Sequence, residues 1–169
     1  MISLGRFNRL TDLFNRSSGY MRIRDARLLR HNGDPTNLVL PELMVRQDET
    51  SFIAQTHPAP LPTGTGPDFV EPGYGSGADI RKPREFVMFM PGHTVTGRVH
   101  VFGDTDIASF VDSVDPRFVP VTEATTRSLA DRRVISHYDF LLINRTLMIA
   151  AAEVEGKSFD IAFEDVPEL

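Results

Sequence analysis

The chain has 169 residues, 41% of them hydrophobic and 24% charged, with a formal net charge of −5. That length accommodates one domain or two small ones; two separate modules of about 50 residues would each be marginal alone, so such modules are expected to pack together or self-associate. The absence of cysteine excludes disulfides, zinc–thiolate sites and thiol chemistry.

The N-terminal stretch MISLGRFNRLTDLF interleaves charges with apolar residues and lacks the apolar region of a secretory signal. No apolar run approaches the roughly 18 residues of a membrane span. A cytoplasmic protein without membrane contact is expected. Charge is unevenly spread. Arg6, Arg9, Arg16, Arg22, Arg24, Arg27 and Arg30 face only Asp12 and Asp25 within residues 1–30, whereas Lys157 stands alone against six acids in residues 153–169. Ends of opposite sign can attract within a chain or between chains.

In chain order, Ile2-Ser3-Leu4 alternates as a short strand and ends at Gly5. Leu10, Leu13 and Phe14 share one face of a short helix over Leu10–Arg16, and Gly19 stops it. Tyr20–Arg30 alternates Met21 and Ile23 with Arg22 and Arg24, as a half-exposed strand does. A turn over His31–Asn37 leads into Leu40–Gln55, which reads as a hairpin. Residues 56–85 carry Pro58, Pro60, Pro62, Pro67 and Pro72 with five glycines, a composition suited to a linker or long surface loop. Phe86–Met90 and Val95–Phe102 flank a Pro91-Gly92 turn as a second hairpin.

The earlier order then returns. Val99-His100-Val101 matches Ile2-Ser3-Leu4, and Gly103 matches Gly5. Ile107–Val111 matches Leu10–Phe14, with Asp104 or Thr105 suited to cap the helix. Residues 117–124 match 19–26, including an acid–alanine pair in each (Asp25-Ala26, Glu123-Ala124). Tyr138–Ala152 (YDFLLINRTLMIAAA) reads as the counterpart hairpin, with Asn144 suited to the positive φ of a two-residue type I′ turn. The chain therefore reads as two copies, 2–54 and 99–150. Phe159, Ile161 and Phe163 alternate in the acidic tail as one more strand, on a sheet edge or a neighbouring subunit.

The pattern predicts a mainly β chain with short helices: two tandem strand–helix–three-strand modules, as antiparallel sheets or a small barrel with pseudo-two-fold symmetry. Its parts are a first module (1–55), a linker (56–85), a second module (86–152) and a tail (153–169).

No catalytic or metal signature emerges. His31, His57, His93, His100 and His137 are scattered; His93 and His100 fall in one predicted hairpin and could face each other, but no third ligand is nearby. Asp104/Asp106 and Asp112/Asp115 suit helix capping better than a carboxylate pair. No cofactor and no metal are expected. Tyr20, Arg22 and Arg24 share one strand face and form the candidate binding surface, a way to hold single-stranded nucleic acid, although the sequence pI of 5.5 is low for that role. Phe159, Ile161 and Phe163 are the candidate assembly residues.

The stretches RLTDLFNRSSGYMRIRDARLL, DIASFVDSVDPRFVPVTEATTRSL and YDFLLINRTLMIA resemble small β-rich modules of uncharacterised bacterial proteins. That resemblance covers both copies and implies a fold without an attached activity. A looser likeness is to Sm-like small barrels, which begin with a helix and continue as a bent antiparallel meander; the strand before the helix departs from that pattern. The expected function is a non-enzymatic interaction or assembly module whose partner is itself or another protein. The alternative is a small-barrel protein binding a ligand or nucleic acid through the N-terminal arginine face.

Overall fold

Amphipathic spacing builds short helices and long strands. A computed structural model describes residues 10–16, 18–30, 34–54, 81–103, 105–113, 115–131 and 133–154. In order they form α1 (Leu10–Arg16), β1 (Tyr20–Leu29), β2 (Pro35–Arg46), β3 (Phe52–Ala54), β4 (Arg81–Met90), β5 (His93–Phe102), α2 (Ile107–Asp112), β6 (Phe118–Ser128), β7 (Ile135–Asn144), a 3-10 turn (Arg145–Leu147) and β8 (Ala150–Val154). The mainly β expectation holds. The strands form a two-stranded antiparallel sheet, β1-β2, and a six-stranded one in the order β3-β7-β6-β5-β4-β8, neither closed into a barrel.

Strand pairing departs from the sequence expectation at both copies. Leu40–Gln55 and Tyr138–Ala152 are not hairpins: β2 pairs with β1 and β3 with β7, while β7 pairs with β6 and β8 with β4. The reason is burial on both faces. On β7, β3 sets Phe52 and Ala54 against the main core and Ile53 against a second cluster. Asn144 also acts otherwise than expected. Its φ is −83°, and its side chain caps the 3-10 turn by accepting from the Thr146 amide.

Three further readings are corrected. Asp106, rather than Thr105, caps α2, accepting from the Ser109 amide at 2.7 Å; that bond holds its carboxyl below the usual range. His93 and His100 lie seven residues apart on one strand, β5, and do not face each other. β4 starts at Arg81, inside the expected linker. Pro83 is tolerated because alternate residues from Met90 back to Arg84 point their amides at β5, which turns position 83 the other way, past the last β8 residue paired, Val154. Residues 2–4, most of 56–85, Asp104 and the tail with Phe159, Ile161 and Phe163 lie outside the described residues.

Two cores sit on opposite faces of β6 and β7. The larger lies inside the curl of the six-stranded sheet, where Phe86, Met88, Val95, Val121, Leu141 and Ile143 meet under Phe110 of α2; the Phe86 and Phe110 rings stack at 4.9 Å. The smaller joins the halves of the chain. Phe14 of α1 and Met21 of β1 pack on Phe118 and Leu142, with the Phe14 and Phe118 rings 5.1 Å apart. Full burial of one such side chain contributes about 2 kcal/mol.

The hairpins β1-β2 and β6-β7 share one register. Tyr20↔Arg46, Arg24↔Glu42 and Ala26↔Leu40 reappear, each number raised by 98, as Phe118↔Asn144, Thr122↔Phe140 and Ala124↔Tyr138. The closing bonds follow the same offset: Gln47 N–H to Gly19 O at 3.0 Å, and Arg145 N–H to Arg117 O at 2.9 Å. Asp25 and Glu123, the acids of the two acid–alanine pairs, both adopt φ of 51°. This left-handed residue shifts the buried face by one position, so Met21, Ala26, Val121 and Ala124 all point inward.

Opposite Glu123 the ladder slips at Gly97 of β5. A Cβ at Gly97 would meet Val121 Cγ1 at 2.6 Å and the Thr122 carbonyl at 3.0 Å. Gly97→Ala should therefore cost about 1–3 kcal/mol, the range for overpacking, read as a lower urea midpoint with an unchanged slope.

Candidate interaction surface

The two halves meet through a polar hub as well as the smaller core. Asn15 on α1 uses both ends of its amide on one residue of β6, donating to Phe118 O at 2.8 Å and accepting from Phe118 N–H at 2.7 Å. Asn144, fully buried, donates to Asp48 O at 3.2 Å and Gln47 O at 3.4 Å. Arg117 donates to Gln47 Oε1 at 3.1 Å, forms an ion pair with Asp48 and lies over the Phe118 ring. This hub aligns β3 with β7, and the Asn144 amide closes their ladder on Ser51 O at 2.8 Å.

Arg145, which the sequence reads as an ordinary turn residue, is only 8% exposed. Its guanidinium stacks over Phe110 at 4.8 Å and donates to Ser113 O at 2.8 Å, while Nε has no partner among the described residues. Burial lowers its pKa, opposed by the nearby charge of Asp115. It borders a cavity of about 230 Å³ shared with Phe110, Ser113 and Pro116. The described residues contain no group of three side chains suited to a metal ion.

The outer face of β1-β2 adjoins the hub at Arg46 and is not covered by any other element among the described residues. Tyr20, Arg22 and Arg24 do line this face together, in exposed alternate positions. The arginines are interleaved with acids: Arg22 Nε lies 3.3 Å from Glu42, and Arg46 lies 4.0 Å from Asp48 and 3.8 Å from Glu49. Such exposed pairs add little stability, about 0–1 kcal/mol each, but they temper the positive potential of the face.

Apolar residues are also conspicuous there. Tyr20 is 62% exposed and Met44 48%; toward the tip Leu29 and Val39 are exposed as well, and Leu38 is exposed on the opposite face. At the matched positions of the second hairpin, Phe118 and Leu142 are completely buried by α1 and β3. Sequence reading missed Met44; its signal was the match to Leu142, hidden while both segments were read as hairpins with the wrong partners.

No protein-family model matches the chain, and no curated protein matches it significantly. Among solved structures, an Sm protein of Pyrococcus abyssii in complex with a uridine heptamer is similar over 42% of this chain and 83% of that one, at 14% identity and a TM-score of 0.29. No helix among the described residues is long and apolar enough to cross a membrane.

Asn144→Ala removes the donor to two carbonyls and the cap of the 3-10 turn. With those groups left in a buried site, the loss should be about 2–3 kcal/mol, checked by thermal unfolding followed by circular dichroism.

Proposed function

We propose that this chain is a non-enzymatic protein-interaction and assembly module, built by internal duplication of a helix–hairpin–strand unit. The observation supporting this reading is the outer face of β1-β2, where Tyr20 and Met44 remain exposed although the same positions in the second half are buried. Contiguous apolar groups flanked by charge are the anatomy of a protein interface. Among the described residues, five of the ten large apolar side chains that stay exposed, Tyr20, Leu29, Leu38, Val39 and Met44, belong to this one hairpin.

The shared register, the shared φ at Asp25 and Glu123 and the shared closing bonds favour duplication over independent origin of the two halves. The nucleic-acid alternative draws on Tyr20, Arg22 and Arg24, but Glu42 engages Arg22 directly, which makes the face less suited to a phosphate backbone.

Size-exclusion chromatography with light scattering, at low and high salt, tests the reading. The protein should run above monomer mass without excess absorbance at 260 nm, and Tyr20→Asp with Met44→Asp should lower the mass while leaving the melting temperature unchanged. A wild-type protein that runs as a monomer at both salts overturns it; salt-sensitive absorbance at 260 nm would favour the alternative.

A further inference from the structure

We infer that the open edge of β2 is the seat for β8 of a second copy of this chain, in the register with which β7 receives β3 within one copy. This deepens the assembly reading and rests on it. The template is internal. β3 adds to β7 through Phe52↔Ile143, Ile53↔Leu142 and Ala54↔Leu141. Moving β7 back by 98 residues gives β2, and moving β3 forward by 98 gives β8. The implied pairs are Ala150↔Val45, Ala151↔Met44 and Ala152↔Leu43.

The hydrogen-bonding groups point the right way for this ladder. Gln47 N–H bonds to Gly19 O, so Val45 and Leu43 also face β1, and Met44 and Arg46 turn their amides and carbonyls outward. Leu142 and Asn144 have that orientation on β7, where the Asn144 amide bonds to Ser51. On β8 the orientation is set by β4. The two-residue turn at Pro91-Gly92 makes Met90 and His93 a closing pair, so Phe89, Val87 and Glu85 face β8. Their partners Ala150, Ala152 and Val154 therefore face β4, which leaves Ala151 and Glu153 directed away from it. Among the described residues, β2 pairs only with β1 and β8 only with β4.

The side chains match as well. In β3, Ile53 faces the smaller core, where Phe14 and Met21 of its own half meet Phe118 and Leu142 of the other, and Phe52 and Ala54 face the main core, on the other half. In β8, Ala151 likewise packs on its own half's core while Ala150 and Ala152 are exposed. Seated on β2 of another copy, those two alanines would meet Leu43 and Val45, which are only partly buried. Phe14, which covers Phe118, corresponds to Val111 on α2, an apolar side chain 37% exposed; it would meet Tyr20. Beyond the third pair Glu153, held by Arg84, would oppose Glu42, held by Arg22, so no further apolar pair extends the ladder.

The contact joins different surfaces on the two copies. Successive copies therefore add head to tail and close into a ring or run on as a filament. Asp112, the counterpart of Asn15, can accept a hydrogen bond from the Tyr20 amide but cannot donate to its carbonyl. The contact between copies should accordingly be weaker than the contact between halves.

The absence of native cysteine makes a crosslinking test clean. Val45→Cys protein is mixed with Ala150→Cys protein under mild oxidation, with Leu43→Cys and Ala152→Cys as a second pair and Leu38→Cys with Ala150→Cys as the off-register control. A disulfide needs Cα atoms within about 7 Å. Both matched mixtures should give a band at twice the monomer mass on non-reducing gels, formed well ahead of the control. Oligomeric variants whose matched pairs crosslink no better than the control overturn this seat and leave the assembly reading standing. Monomeric wild-type protein with no crosslink in any mixture overturns both.

Discussion

A strand must give its amides to a neighbour, and the placement of β3 on β7 settles much else in this fold. By leaving β2 and crossing to the second half, three residues close one edge of the large sheet, cover Leu142 and bring Gln47 and Asp48 under Asn144. The backbone bonds are few. Their geometry is held by the hub of Asn15, Arg117 and Asn144, each of which bonds across the join. Since the buried polar groups are paired with each other, displacing β3 would strand several of them at once.

The same placement explains why the two halves look different despite a common register. The second hairpin is flanked on both sides, by β5 and β3, and is buried on both faces. The first hairpin has one partner strand fewer at each edge among the described residues, and its outer face carries Tyr20 and Met44 into solvent. An edge strand with exposed amides and apolar side chains is a template for addition. The chain already contains one instance of that addition, β3 on β7, and the matched sequence of β8 offers the complementary piece.

Local pattern made the elements legible, and distance in the chain concealed their partners. Alternation in Tyr20–Arg30 and the spacing of Leu10, Leu13 and Phe14 mark β1 and α1 directly. The pairing of β3 with β7 spans about half the chain, and no local signal carries it; turn chemistry at Asn144-Arg145 pointed instead to a hairpin, because asparagine serves equally as a turn residue and as a cap. The Asp25-Ala26 and Glu123-Ala124 pairs were visible as a match, but their positive φ was not, since neither acid is a strong marker of that conformation. Arg145 was hidden for the opposite reason. A charged residue after a turn signal reads as exposed, whereas α2 and the Ser113 carbonyl bury it.

Amide hydrogen exchange resolved by residue, followed over a range of protein concentrations, most directly tests the claim that β7 and β2 are the same edge, one filled and one open. Leu142 and Asn144 should be protected at every concentration, with Met44 and Arg46 exchanging fast in dilute protein and slowing as concentration rises. Rapid exchange at Leu142 and Asn144, or exchange at Met44 and Arg46 that ignores concentration, would contradict the account.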